Sequence, residues 1–301
     1  MKQLKQALGV LLTCLLALSS PGRAASPPVV VADIAPVQSL VAMVTGDIAA
    51  PAALVPAGAD PHHLQLRPSQ RRLLGQADVI IMVGDQLTPW LADVLERSAP
   101  DALVLQLLRL PGTTRRQAGS AAADPGDDMA TDPHAWLDLR NARLWLGKIA
   151  ETLATADPGN AARYRANARA GVARLERLDS RMAARLAPLA GMGVGITHDA
   201  LRYLAGRYGI DIVASLSPPE GTPPRPSALR KLRLALAEGT AQCLLVMPED
   251  SPALIARLTE GLNVPVARID PLGVGLPRGA DLYEDMLLAI SARLSACRAA
   301  R

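Results

Sequence analysis

Among the side chains of this 301-residue chain, its four histidines are the ones that titrate near neutrality and also bind borderline divalent cations. Two of them end copies of one tripeptide, Asp60-Pro61-His62 and Asp132-Pro133-His134; the others are His63 and His198. Three imidazoles with one oxygen donor make a tetrahedral zinc site. His62, His134 and His198 are therefore the candidate nitrogen ligands, and Asp270 is the candidate oxygen ligand. Their successive separations of 72, 64 and 72 residues are far wider than those of a zinc finger, so only a finished fold could assemble the site.

A single histidine is more often a hydrogen-bonded core residue than a ligand. The combination carries the argument here, because His62, His134 and His198 all fall at turns after apolar runs. His63 points away from its neighbour and reads as a rim residue and spare ligand. Asp270 heads Asp270-Pro271-Leu272-Gly273, which is also the composition of a plain turn. Asp60, Asp132 and Asp199 each adjoin or nearly adjoin a candidate ligand. They could accept an imidazole's second N–H, or simply cap their own turns.

Positioning these groups requires strand ends. The run Ala53-Leu54-Val55 reads as a buried strand, and Pro56, Gly58 and Pro61 turn the chain into a stiff loop bearing His62. Residues 28–34 form another strand, followed by helical spacing from Pro36 to Val44. Strands at 78–84 and 103–107 flank helices near 69–76 and after Thr88, the latter with Thr88 as N-cap and Pro89 in the first turn. Strand and helix alternating in this way give a parallel sheet with helices on both faces. Residues 111–131 break the pattern as an exposed loop, and a helix follows near 140–154.

From Pro158 to about Ala187 an Ala-, Arg- and Leu-rich segment, interrupted only by Gly159 and Gly171, predicts one long rigid helix. A second strand series begins after it, at 193–197, 211–216, 243–247 and 264–269. A stiff Pro-rich loop lies at 217–226, a helix runs from Ser251 and Pro252 to Gly261, and a terminal helix covers about 280–297. His198 ends the first of these strands and Asp270 the last. The expected architecture is α/β: a lobe over 26–155, a connecting helix over 156–190, a second lobe over 191–301, and the metal site between the lobes.

Half the residues are apolar, enough for two cores. Residues 1–25 read as a secretory signal peptide: Lys2 and Lys5, an apolar run from Leu8 to Leu18, then small residues around Ala24-Ala25. No later segment approaches the roughly 20 uncharged apolar residues of a membrane span. The formal charge of +4 falls by three when Lys2, Lys5 and Arg23 leave with the leader, and phenylalanine is absent. Nucleic-acid binding is excluded on both counts. Cys14 sits in the leader, and Thr13 before it does not suit lipidation. Cys243 and Cys297 are an even pair in an exported chain and are expected to form a disulfide, closing a loop worth about 4 kcal/mol at most.

Several stretches together resemble the solute-binding proteins of metal-uptake ABC transporters, most closely the periplasmic zinc-binding branch. They are Val31-Ala32-Asp33-Ile34-Ala35-Pro36, Gly58 to His63 running into Leu66-Arg67-Pro68-Ser69, and Ala77-Asp78-Val79-Ile80. Asp132 to Asp138, Thr197-His198-Asp199-Ala200 with Tyr203, and Ile269-Asp270-Pro271-Leu272-Gly273 complete the set. The resemblance covers the mature chain. It implies two α/β lobes on one long helix, with metal ligands at His62, His134 and His198 and, in some members, at Asp270. It further implies a partner permease in the membrane with a separate ATPase, and a monomer in the periplasm. In manganese-binding relatives a glutamate stands where this chain has His198, so the histidine argues for zinc. Two departures are the absence of histidine from loop 111–131 and Met247-Pro248 in place of a Glu-Pro pair.

The resulting expectation is a zinc-binding protein that captures Zn(II) and delivers it to an ABC permease. A manganese- or iron-binding member of the same family is the nearest alternative. A zinc hydrolase is a further one, but no His-Glu-x-x-His, no Gly-x-Ser-x-Gly and no general base accompany the site, so no enzyme is expected. A surface adhesive role would not need widely spaced metal ligands.

Overall fold

The computed structural model describes residues 26–118, 131–219 and 223–299, so the leader, Cys14 and most of the 111–131 loop lie outside the described residues. The first half builds a sheet from β1 (Val30–Ala32), β2 (Ala52–Ala53), β3 (Val79–Met82) and β4 (Leu103–Gln106), in the order β2-β1-β3-β4. The second half builds another from β5 (Gly193–His198), β6 (Asp211–Ser217), β7 (Leu244–Val246) and β8 (Val266–Arg268), in the order β6-β5-β7-β8. All pairings are parallel. In each sheet the winding reverses at the first strand, and the crevice outside the carboxyl ends at such a reversal is where ligands bind. His198 is the last residue of β5. β2 is short, but Leu54 and Val55 extend its ladder by donating to Ala32 O and Asp33 O.

Helices α1 (Ala35–Thr45), α2 (Pro68–Leu74), α3 (Leu91–Ser98) and α4 (Leu139–Ala156) belong to the first half. α3 starts later than the Thr88-Pro89 signal predicts. Thr88 N–H donates back to Gly84 O, closing a separate turn, and Trp90 precedes the first helical residue. The long helix α5 (Ala161–Leu186) has 26 residues and spans about 39 Å, with a 3-10 turn at each end. Its buried residues, Tyr164, Ala168, Gly171, Leu175, Leu178, Met182 and Leu186, recur at three- and four-residue spacing along one stripe. Gly171 lies in that stripe because α4 crosses there: a Cβ on it would stand 3.0 Å from Leu146 Cδ1.

The second half adds α6 (Arg202–Tyr208), α7 (Pro226–Ala237), α8 (Pro252–Thr259) and α9 (Leu282–Ala299). Pro226, the expected end of a stiff loop, instead opens α7 at its first turn, where a missing N–H costs nothing. α5 is fastened to both halves. Asn167 Nδ2 donates to Val44 O at 2.9 Å, and Arg174 and Arg181 pair with Glu284 of α9 at 2.6 and 2.7 Å. The main core runs without a break from Val37 and Leu40 through Trp136 and Leu178 to Tyr283 and Leu294. Cys243 and Cys297, both buried, form a disulfide with Cα atoms 5.8 Å apart, tying α9 to the strand edge beside β7. Among the described residues no helix is long and apolar enough to cross a membrane.

Candidate metal centre

Each of the three ligand positions is fixed by a different local device. In the loop after β2, His62 N–H donates to Asp60 Oδ1 at 2.9 Å, and Trp90 Nε1 donates to Pro61 O at 2.7 Å. Ahead of a 3-10 turn over Ala135–Leu137, His134 N–H donates to Asp132 Oδ1, again at 2.9 Å. His198 is held by the β5 ladder, and Asp199 N–H continues that ladder onto Ser217 O.

The fold brings these three side chains together. His62, His134 and His198 each offer a nitrogen such that all three donor atoms lie within 4.8 Å of one another. His134 Nε2 and His198 Nε2 are 3.3 Å apart. Two nitrogens bound tetrahedrally to one zinc at about 2.0–2.1 Å would stand about 3.3–3.4 Å apart, so that pair already has the spacing of one edge of a zinc tetrahedron. His62 Nε2 is buried and has no hydrogen-bond partner among the described residues. A buried nitrogen left without a partner is costly, and a cation among the three rings would satisfy it.

Electrostatics favour the ligating form. Burial pulls His134 down to about 3. Burial, reinforced by the other imidazoles, pulls His198 to about 3 and His62 to about 4. All three are neutral at physiological pH and present lone pairs. Asp132 Oδ1 meets His134 Nδ1 at 2.8 Å; an ionised carboxylate only accepts, so with Asp132 ionised Nδ1 carries the proton and Nε2 the free pair. Burial pushes Asp132 up to about 7, opposed by the His134 N–H and by the charges of Arg202 and Arg116.

Asp270 lies outside this group of mutually close donors. Its two oxygens accept Leu272 N–H at 3.1 Å and Val274 N–H at 2.6 Å. His63 is exposed, its ring is 6.3 Å from that of His62, and its Nδ1 pairs with Asp60 Oδ2 at 2.9 Å. Asp199 accepts from Arg202 Nε at 2.7 Å rather than from an imidazole. The sequence reading missed two residues that hold this site, Trp90 and Trp136. Trp136 packs 5.1 Å from the His134 ring, and its Nε1 donates to Pro271 O at 2.9 Å, next to Asp270. Tryptophan is rare here, three in the chain, and two of them grip proline carbonyls beside candidate ligands.

Two similarly wound α/β lobes, a long helix fastened to both and three converging neutral imidazoles define a two-lobed metal-binding protein. Residues 30–297 match the family described as zinc-uptake complex component A, periplasmic, and the chain belongs to that family. A high-affinity zinc uptake system protein ZnuA of Paracoccus denitrificans is 36% identical, over 92% of this chain and 93% of that protein. Among solved structures, a crystal structure of ZnuA superposes with a TM-score of 0.77 at 23% identity, covering 89% of this chain and 98% of the other. The binding protein FpvC of Pseudomonas aeruginosa, in complex with Mn2+, gives 0.75 at 24% identity, covering 91% and 99%. At such identities the two superpositions speak for the fold alone.

Proposed function

We infer that this protein captures one Zn(II) between its lobes with His62, His134 and His198 and hands it to an ABC permease driven by a separate ATPase. It works as a monomer in the periplasm and catalyses nothing. The observation that supports this reading most is the convergence of three buried, neutral imidazoles, two of them already at the spacing of a zinc tetrahedron's edge. Asp270 or a water takes the fourth position. Among the described residues each Asp270 oxygen accepts one main-chain N–H and so retains a lone pair for a metal. A cation bound to His134 also favours the ionised form of Asp132, which strengthens the Nδ1–H contact and makes the imidazole a better donor.

The second reading is a manganese- or iron-binding member of the same family; FpvC, which shares the fold, was solved with Mn2+. Nitrogen-rich sites suit zinc, whereas manganese suits oxygen ligands, so the donor set favours zinc. Elemental analysis of exported protein purified without added metal, followed by zinc and manganese competition, decides between them. One equivalent of zinc, not displaced by excess manganese, is expected. Retained manganese or iron, or equal occupancy, would overturn the zinc assignment.

A further inference from the structure

His134 belongs to the first half by sequence, yet its frame is held from the second half. The carbonyl two residues before it, Asp132 O, receives the Tyr203 hydroxyl at 2.8 Å. The carbonyl two residues after it, Trp136 O, receives the Tyr283 hydroxyl at 2.5 Å. Tyr203 lies on α6 and Tyr283 on α9, and both rings are fully buried. The Tyr203 oxygen also accepts Arg116 N–H at 2.9 Å, while Asp132 N–H donates to Arg116 O at 2.8 Å. The hydroxyl therefore closes onto both sides of the segment that carries Asp132. Trp136 adds a third cross-link in the opposite direction, its Nε1 donating to Pro271 O. Among the described residues His62 has no such ties. Its loop is gripped by Asp60 and Trp90, both of the first half.

Resting on the zinc-binding reading above, we propose that Tyr203 and Tyr283 are positioning residues for His134, so that His134 and His198 form one pre-set pair on the frame of the second half and His62 is the ligand brought up by the first. Tyr203 acts through Asp132, whose main chain it fixes and whose Oδ1 orients the His134 ring; Tyr283 acts through the Trp136 peptide. Neither hydroxyl touches the metal. Their contribution is the angle at which Nε2 of His134 faces Nε2 of His198. The Tyr203 hydroxyl, which both donates and accepts, and the Tyr283 hydroxyl, which donates, hold such angles tightly, since leaving either carbonyl without a partner is costly.

The test is a set of double-mutant cycles read by zinc affinity in a chelator competition, using the full mature chain. Tyr203→Phe and Tyr283→Phe each remove one hydroxyl and keep the ring. Each is expected to weaken zinc binding roughly tenfold in the parent and in a His62→Ala background, and to cost nothing further once His134 is already Ala. With Co(II) as the probe, each should also weaken the visible bands of a tetrahedral site in the parent. A general loss of stability would lower affinity equally in all backgrounds, and that result, or no loss in the parent, would overturn the proposal. Should Tyr203→Phe fail to fold, Tyr283→Phe on a different helix makes the same measurement. If His134→Ala binds zinc as tightly as the parent, the ligand assignment itself falls; if it binds weakly but the tyrosine losses remain additive to it, only this inference does.

Discussion

In both Asp-Pro-His tripeptides the aspartate accepts the histidine's main-chain N–H at 2.9 Å, so the two copies make the same turn. They differ in what else the carboxylate does. Asp132 is fully buried and its Oδ1 also meets His134 Nδ1, whereas Asp60 is half-exposed and its Oδ2 pairs with exposed His63. The second copy thus also orients its ligand's ring; the first fixes only the main chain, and among the described residues His62 Nε2 is left without a partner. A local motif sets the backbone turn, and the surroundings of the carboxylate decide whether it also orients the metal ligand.

The largest test of that contrast removes the ligands themselves. His134→Ala should weaken zinc binding by more than roughly 100-fold, since merely losing a group that orients a ligand costs 10–100-fold. His62→Ala should lose less, because His63 lies next to it and can take its place, and His62→Ala/His63→Ala should show the remainder as an extra loss in the same titration. Equal losses for His62→Ala and His134→Ala, with no added effect of His63→Ala, would erase the asymmetry.

A smaller effect separates the two aspartates. Asp132→Asn keeps a turn-capping acceptor but removes the charge behind His134, and zinc affinity should drop about tenfold; Asp60→Asn should change it by less than about threefold. Isothermal or chelator titration of the two variants side by side checks this. If Asp60→Asn is the more damaging, the orienting role has been given to the wrong copy.

The smallest change is expected with pH. Three imidazoles titrating at their ordinary 6.5 would lose zinc on the order of 10^4-fold between pH 7.5 and 5, because each would have to shed a proton. With His62 near 4 and His134 and His198 near 3, the rings are already neutral at pH 5, and the loss attributable to them should stay under about twofold. The metal-free fold depends on pH as well. For these three rings the folded values lie below the unfolded ones, so their contribution to stability falls as pH falls from roughly 6.5 toward 4, while buried Asp33, Asp132 and Asp199, pushed up to about 7, 7 and 6, contribute in the opposite direction through the same window. Thermal melts of the metal-free protein across that range, beside zinc titrations, measure both slopes.

Much of this architecture was legible from residue order. Apolar runs ending in turn residues marked the strands, and the segment from Pro158 to Ala187 became a 26-residue helix with 3-10 ends. The strong local signals of Ser251-Pro252 gave α8, where Ser251 Oγ accepts Leu254 N–H. The Thr88-Pro89 signal was equally strong locally, but Thr88 was already committed to the turn back to Gly84, and α3 begins beyond it. α7 went unread, because a proline at the end of a Pro-rich stretch serves equally to continue a loop or to start a helix.

For the site, the sequence determined the scarce chemistry: few histidines, three of them at strand ends or turns, and two cysteines after residue 25 that the fold joins. The convergence of His62, His134 and His198 depends on two sheets of the same strand order joined by one continuous core, which no spacing along the chain encodes. Distance also decided the carboxylates. Asp60, Asp132 and Asp270 look alike as residues beside prolines, yet one pairs with an exposed histidine, one is buried against His134 and one accepts the main chain of its own turn. Each of these carboxylates takes a partner within four residues of it, and only the tertiary structure decides which of those neighbours is within reach and whether the pair is buried.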